Sequence, residues 1–525
     1  MPVARAWSVA VVGIEGHLVE VEADIGQGLP GFHLVGLPDT ALHEARDRAR
    51  AAVANSEETW PNRRITVNLS PASLPKQGTS FDLALAGAVL AAADALPAGV
   101  LEKVVLLGEL GLDGSVRGVR GVLPAMLAAT AAGFTSYVVP RANAAEAGLV
   151  PEVEVAAVGS LAELLARLRG DSWPYPYEEP GYEQGAASGR AAVGVHAALQ
   201  LPDATGKDLA DVAGQAEARM ALELSAAGSH HMLLHGSPGT GKTMLAERLP
   251  GLLPPLERGA ALEVTTVHSV AGTLPPQCPL LDHAPFCAPH HTATVPAIVG
   301  GGSQRIRPGA ASLAHRGVLF LDEAPEFAAG VLDALRQPLE SGEVLISRQR
   351  ATVRFPARFT LVLAANPCPC ALATEDPAKC TCSPAARRRY LSKLSGPLLD
   401  RVDLSVGMRQ LSRLDLLHAV GDAEPSEVVA TRVAMAWERM VARFAEWPWR
   451  TNAELPGREL RGRYAPDADA LALAEHELAR GRLTARGVVR VLRVSWSVAD
   501  LAGHDRPDAD DVAVALSLRH GAWTA

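Results

Sequence analysis

The run Gly236-Ser237-Pro238-Gly239-Thr240-Gly241-Lys242-Thr243 meets the spacing G-x-x-x-x-G-K-[ST] at every fixed position. Its glycines let the backbone curl so that several N–H groups converge on phosphate oxygens. Lys242 is placed to reach the β- and γ-phosphates, and the Thr243 hydroxyl to ligate Mg²⁺. The chemistry implied is the binding of a nucleoside triphosphate, ATP with Mg²⁺. Downstream, Val318-Leu319-Phe320-Leu321 reads as a buried strand that ends in Asp322-Glu323. Asp322 would hold Mg²⁺ through its water shell, and Glu323 would orient and deprotonate the attacking water. A further apolar run, Phe359 to Ala365, delivers Asn366, either a polar sensor beside the γ-phosphate or a strand-end turn residue before Pro367.

Four of the six cysteines fall in Cys368-Pro369-Cys370 and Cys380-Thr381-Cys382. Four thiolates in two close pairs suit a closed, structural tetrahedral Zn²⁺ site, with four free thiols the alternative. Cys278 and Cys287 read as unpaired. The adjacent His290 and His291 fit a single tetrahedral ion poorly, and a structured loop is the preferred reading over a metal site.

Local sequence defines the elements that must position these groups. Met232-Leu233-Leu234 reads as the strand before the phosphate loop. Met244 to Leu249 reads as the helix after it, stopped by Pro250. With 525 residues, the chain exceeds one hydrophobic core, so two to four domains are expected. The net charge of −9 gives no global pull toward nucleic acid, and any DNA contact must come from a local basic surface. No apolar run is long enough to span a bilayer, and the N-terminus reads as a strand and not a signal peptide. The expected location is cytoplasmic, where disulfides are not expected.

The organisation read from these patterns is α/β. Residues 1–170 alternate strands (Val19 to Glu22, Ile65 to Leu69, Val104 to Leu107) with helices (Asp39 to Ala54, Phe81 to Ala93). Gly28 to Phe32 and Val35 to Asp39 read as turns. Residues 171–192, rich in Pro and Tyr, then Gly and Ala, form a linker. An ATP-binding core with a parallel sheet covers 193–410, and a helical lid covers 411–525. In the lid, Ser426 opens a long helix, Thr484 caps another through Leu501, and Pro507-Asp508 precede the last.

Two resemblances sharpen this reading. Leu74 to Ser80 resembles the segment that carries the nucleophilic serine of Lon-type proteases, with Ser80 at the nucleophile position. The lysine position of that dyad is occupied by Leu123, which cannot act as a base. Lys76 is the nearby amine that could replace it. The domain is therefore read as Lon-like and non-proteolytic. More specifically, Gly214-Gln215, the phosphate loop and Ala288-Pro289-His290-His291-Thr292 resemble the ComM/YifB family. So do Gly300-Gly301-Gly302, Gly317 to Glu323, Leu335 to Glu340 and Ser395 to Arg401. These are AAA+ ATPases related to the I subunit of magnesium chelatase.

That resemblance implies a ring, a hexamer, in which Arg401 acts as an arginine finger on the neighbour's γ-phosphate; a local ion pair with Asp400 or Asp403 is the alternative. It implies a hairpin, Glu343 to Ser347 and Ala351 to Phe355, that points into the ring's channel. Arg348, Arg350 and Arg354 there would meet DNA phosphates without reading sequence. It also implies a second sensor arginine from the lid, with Arg486 fitting best and Arg493 the alternative. The expected function is an ATP-driven DNA motor for branch migration in recombination and natural transformation. A chelatase-type ATPase that remodels a protein partner is the other reading.

Overall fold

The computed structural model describes residues 3–36, 40–74, 76, 78–171, 207–275, 279–302, 306–348, 351–370, 380–411 and 423–520. The linker read over 171–192 lies outside them, apart from Asp171. Among the described residues no helix is long and apolar enough to cross a membrane.

The N-terminal part is a seven-stranded mixed sheet. Its strands are β1 (Ala4–Val12), β2 (Glu15–Gly26), β3 (Gly31–Val35), β4 (Arg64–Ser70), β5 (Val104–Leu106), β8 (Ser136–Pro140) and β9 (Glu154–Val158), in the order β3-β4-β2-β1-β5-β8-β9. The short pair β6 (Glu109–Leu110) and β7 (Val116–Arg117) stands apart. In β2, Val19, Val21, Ala23 and Ile25 are buried while the intervening residues point away, which is the period-two pattern of a half-buried strand. The helix Asp82–Ala92 is apolar all round and buried on nearly every side, as such a composition requires. Several strands were not named from the sequence, β8 and β9 among them, and one was read as turns. β3 includes Gly31, Phe32 and Val35, read as parts of two turns, and it is an edge strand with alternating exposure, a pattern that Gly/Pro punctuation obscures.

The central part is a five-stranded parallel sheet, β10 (Met232–Gly236), β11 (Phe286–Cys287), β12 (Val318–Leu321), β15 (Thr360–Ala365) and β16 (Leu404–Met408), in the order β11-β12-β15-β10-β16. β12 and β15 are buried throughout, so they read as continuous apolar runs with no alternation. The hairpin β13 (Glu343–Arg348) and β14 (Ala351–Pro356) forms where expected. The helix after the phosphate loop is shorter than expected. It covers Lys242–Ala246, and Pro250 lies inside a separate 3₁₀ turn, Leu249–Leu252. The backbone tightens there, Arg248 N donating to the Leu245 carbonyl at 3.1 Å, and Pro250 has no N–H to bond Ala246. The Arg248 guanidinium donates to the Met244 carbonyl at 2.7 Å and to Asp208 and Asp211 outside the helix, holding the chain in place before Pro250 is reached.

The C-terminal part is helical, with Ser426–Phe444, Ala468–Ala479, Ala485–Ala502 and Ala509–His520. Thr484 caps the third of these by accepting from Gly487 N at 3.0 Å. Its apolar residues share one core with β10, β15 and β16, so sheet and lid are packed as a unit. The N-terminal part is also docked. Its helix Val122–Ala131 lies on the helix Arg258–Ala271, where Ser269 Oγ donates to Glu146 and Gly121 N donates to the Ser269 carbonyl at 3.3 Å.

His268 on that docked helix is 1% exposed. Nδ1 accepts from the Thr273 hydroxyl at 2.8 Å and Nε2 donates to the Leu313 carbonyl at 3.0 Å, which is the pattern of a neutral ring. Burial pushes its pKa from 6.5 down to about 4. Above 6.5 both folded and unfolded states hold the ring neutral. As pH falls from 6.5 to about 4 the unfolded state takes up a proton that the folded state refuses, so stability falls through that window and then levels off. Urea unfolding across the window should show this fall, and His268→Gln should make it shallower; parallel profiles for the two proteins would contradict the assignment.

Candidate functional site

Parallel strands deliver their following loops to one edge of a sheet, and β12, β15 and β10 are neighbours. Their C-terminal ends carry Asp322, Asn366 and the phosphate loop, which is why residues over a hundred positions apart meet. Gly239 and Gly241 adopt φ of 80° and 91°, the left-handed turn that the loop requires. Gly236 allows a close approach, since a Cβ there would stand 2.4 Å from the Met408 carbonyl oxygen. Lys242 is 8% exposed, and its ammonium donates to the carbonyls of Gly236 at 2.7 Å and Ser237 at 2.9 Å and to Asn366 Oδ1 at 3.2 Å. Burial lowers its pKa, and Asp322 and Glu323 oppose that shift. Thr243 Oγ1 donates to Asp322 Oδ2 at 2.7 Å. Lys242, Thr243, Asp322 and Asn366 thus form one constellation.

Glu323 joins it in a particular conformation. Its backbone is left-handed (φ 50°), uncommon for a residue with a side chain, and its carboxylate lies 3.1 Å from His291 Nδ1. His291 packs against His290 with the rings tilted and their centroids 4.1 Å apart, and His290 Nδ1 lies 2.9 Å from the Thr292 hydroxyl. The two histidines, read as part of a structured loop, make these contacts to Thr292 and Glu323. That one of them would hold Glu323 was not read from the sequence.

Arg401 stands elsewhere. It precedes β16, whereas the phosphate loop follows β10, and the two strands are parallel. Arg401 is therefore at the opposite edge of the sheet from Lys242, separated by a five-residue strand, roughly 16 Å at 3.3 Å per residue. Its guanidinium donates to the Pro397 carbonyl at 2.5 Å and to Glu340, and not to Asp400 or Asp403 as the local alternative had it. Burial, then Arg486, Arg490 and Arg336, lower its pKa. Arg486 belongs with this second constellation, its side chain 77% exposed and 3.9 Å from Asp400. Arg493, the alternative sensor, is mostly buried and donates to the Leu455 carbonyl at 2.7 Å, a structural contact between lid segments.

Asp403 anchors the Arg401 segment to the lid. It is buried, 2.9 Å from Arg490 Nη1 and 3.4 Å from His230 Nδ1, and His231 N donates to it at 3.3 Å. Burial would raise its pKa, but Arg490 and His230 outweigh that and hold it well below the usual carboxylate range. His230 Nε2 continues to Ser497 Oγ at 2.7 Å, and Asn452 links Ser497 to Asp500.

In the hairpin, Arg348 pairs with Ala351 and Leu345 with Arg354. Val344 and Ile346 on β13 and Val353 and Phe355 on β14 are buried, so one face is inward. Arg348 shares that face at its exposed tip, whereas Arg354 is on the other. The three hairpin arginines were expected to act together; these two do not share a face, and Arg350 lies outside the described residues. The cysteine sulfurs do converge. Cys368 and Cys370 are 3.2 Å apart, Cys370 and Cys380 3.7 Å, Cys380 and Cys368 3.6 Å, and all four sulfurs lie within 4.8 Å of one another. A tetrahedral ion with bonds of about 2.3 Å needs sulfurs about 3.8 Å apart. Arg387 Nε donates to Cys380 Sγ at 3.3 Å, as an outer partner of a thiolate would. Cys287 is buried, its thiol pushed up to about 12, and Cys278 lies outside the described residues. Lys76, fully buried, spends its amine on the carbonyls of Leu69 and Pro71, and Leu123 is buried in its helix.

Residues 208–416 match the family described as magnesium chelatase, subunit ChlI, residues 21–143 match subunit ChlI of Mg-chelatase, and residues 423–519 match its C-terminal part. Competence protein ComM of Haemophilus influenzae is 41% identical over 525 residues, 99% of this chain and 98% of its own. The chain belongs to the ComM/YifB family. YifB of Salmonella typhimurium is 40% identical over 519 residues, 99% of this chain and 97% of its own. An uncharacterized protein of Mycobacterium tuberculosis is 52% identical over 519 residues, 99% of both chains. The AAA+-type central region and helical C-terminal region of this ComM/YifB chain are as the sequence implied.

The joint at Asp403 gives a direct test. Arg490→Met strands a buried carboxylate and should cost about 3–5 kcal/mol in urea unfolding. Adding Asp403→Asn should recover much of that loss, whereas a loss equal to or larger than that of the single variant would show that the pair does not act as a unit.

Proposed function

We propose that the chain is a ring-forming, hexameric AAA+ ATPase that moves along DNA in the cytoplasm and promotes branch migration in homologous recombination and natural transformation. One observation carries the ring: the groups suited to bind and activate ATP stand at one edge of the parallel sheet, and Arg401 with Arg486 stands at the other. One chain cannot close that site on itself. A neighbour presenting its Arg401 edge can. The DNA part of the reading is supported by the exposed hairpin arginines and by the competence role in the name of the relative from Haemophilus influenzae.

The residues fit Mg²⁺ and ATP. Lys242 donates to the loop's own carbonyls, which phosphate oxygens would replace, and Thr243 with Asp322 sets a hydroxyl beside a carboxylate, the donor set of a hard cation. Mg²⁺ supplies charge neutralisation at the phosphates when bound. Lys242 would turn to the β- and γ-phosphates with Gly236, Ser237, Pro238, Gly239, Thr240 and Gly241 as the cradle, and Asn366 would hold the attacking side in register. Glu323 would leave His291 to take a proton from water. Arg401 would leave Glu340 to meet charge on the neighbour's γ-phosphate, a contact worth about 10³–10⁵ in rate where it has been measured. The four cysteines Cys368, Cys370, Cys380 and Cys382 would hold a structural Zn²⁺ that fastens the loop between Asn366 and the Arg401 segment. The matches to magnesium chelatase subunits favour a second reading, a chelatase-type ATPase that remodels a protein partner.

Phosphate-release assays separate the two readings. Forked or single-stranded DNA should stimulate hydrolysis, Arg348→Ala should remove the stimulation and keep the basal rate, and His291→Ala should raise the basal rate. Glu323→Gln should lower hydrolysis about 10²–10⁴-fold with nucleotide still bound. Hydrolysis indifferent to DNA and stimulated by a protein would support the chelatase-type reading instead. For the cysteine site, metal analysis of chelator-free protein should find about one zinc per chain. Cys368→Ser with Cys380→Ser should lose it together with thermal stability; metal-free protein of unchanged stability would contradict the assignment.

A further inference from the structure

Two arginines outside every constellation described so far meet where the N-terminal part joins the core. Arg120 follows β7, and its side chain lies over Gly272, at the end of the helix Arg258–Ala271. A Cβ on Gly272 would stand 2.4 Å from Arg120 Nε, so the glycine leaves room for the guanidinium. Among the described residues Arg120 makes no hydrogen bond or ion pair. Partial burial and then the nearby cation Arg307 lower the Arg120 pKa. Glu146 lines the same cleft but is already occupied by Leu123 N, Asn143 Nδ2 and Ser269 Oγ.

Arg307 extends this surface to the hairpin. Its backbone pairs with Gly301, and a Cβ on Gly301 would lie 3.8 Å from Arg348 Nη2. The N-terminal part abuts the same hairpin face. A Cβ on Gly13, in the β1–β2 turn, would stand 2.5 Å from Val353 Cγ1, and Val11, Val12 and Ile14 pack against the cluster holding Ile346 and Val353. Arg120, Arg307 and Arg348 are all exposed. Glu146 is the acid that lines this cleft, and its oxygens are already engaged, so three like charges are left to repel one another in a chain of net charge −9, a grouping that a polyanion would make favourable.

We propose that Arg120 of the N-terminal part and Arg307 of the insertion bind the phosphate backbone of the nucleic acid strand that Arg348 contacts, so that the N-terminal part is a wall of the DNA path. The inference rests on the DNA-motor reading and gives the N-terminal part a role that needs no protease chemistry. It also accounts for the opposite facing of Arg354, which lies off this track.

The test is fluorescence anisotropy of a labelled single DNA strand with the full chain and a non-hydrolysable nucleotide, at several salt concentrations. Each lost phosphate contact reduces the salt slope by about one, so Arg120→Ala/Arg307→Ala should weaken binding and flatten the slope by about two. Arg120→Lys should keep the slope, and Arg117→Ala, a cation beside Asp113, should leave it unchanged. DNA-independent hydrolysis of the double variant should match the wild type, showing that it is folded. If the wild type binds DNA and the double variant keeps its affinity and slope, this inference is overturned and the motor reading stands. If the wild type binds no DNA, both fall.

Discussion

The parallel register of β10 and β16 is the constraint from which the rest follows. A chain that leaves β10 enters the phosphate loop; a chain that enters β16 has just passed Arg401. Parallel pairing puts those events at opposite edges, and no side-chain rotation spans a strand's length. On the proposed function, the AAA+-type core carries two half-sites, each with part of what triphosphate chemistry would need. In the isolated chain each half satisfies itself. Lys242 bonds its own loop, Glu323 faces His291, and Arg401 bonds Glu340. Activation in this account consists of exchanging those internal partners for the phosphates, the water and the neighbour.

Such exchange requires the two half-sites to be held firmly while their end groups stay free. The core does this by burial: β12 and β15 are apolar throughout, and lid and sheet share one cluster. Asp403 does it by charge, two residues from Arg401 and bonded to Arg490 on the helix that also carries Arg486. A buried pair of this kind adds little net stability over apolar packing, but breaking it is costly, which suits a joint that must keep its geometry. The lid and the Arg401 segment are thus bound to move together.

Much of the fold and half of the site were legible in the chain. The phosphate loop and Asp322-Glu323 are local patterns with local causes, and their strands read correctly because buried parallel strands are uninterrupted apolar runs. Contacts set by tertiary structure were not legible. His291 reaches Glu323 across the insertion, and Glu340 reaches Arg401 from a helix sixty-one positions earlier, although both lie in segments singled out for other reasons. The facing of the hairpin arginines was within reach. Arg348 pairs with Ala351, and strand alternation then puts Arg354 on the other side. The helix after the phosphate loop was overextended because proline was taken to stop it only at its own position, whereas Pro250 lacks the N–H that would bond Ala246, and the chain passes into a 3₁₀ turn.

If hydrolysis occurs between two copies of the chain, two inactive variants should complement each other when mixed. Lys242→Ala lacks the phosphate half-site and keeps Arg401; Arg401→Ala lacks the second half-site and keeps Lys242. Each alone should be inactive, and mixing them should restore ATP hydrolysis, because an intact pair of half-sites forms wherever unlike protomers meet. A mixture no more active than its components, or an Arg401→Ala protein that hydrolyses ATP at the wild-type rate unaided, would contradict the account.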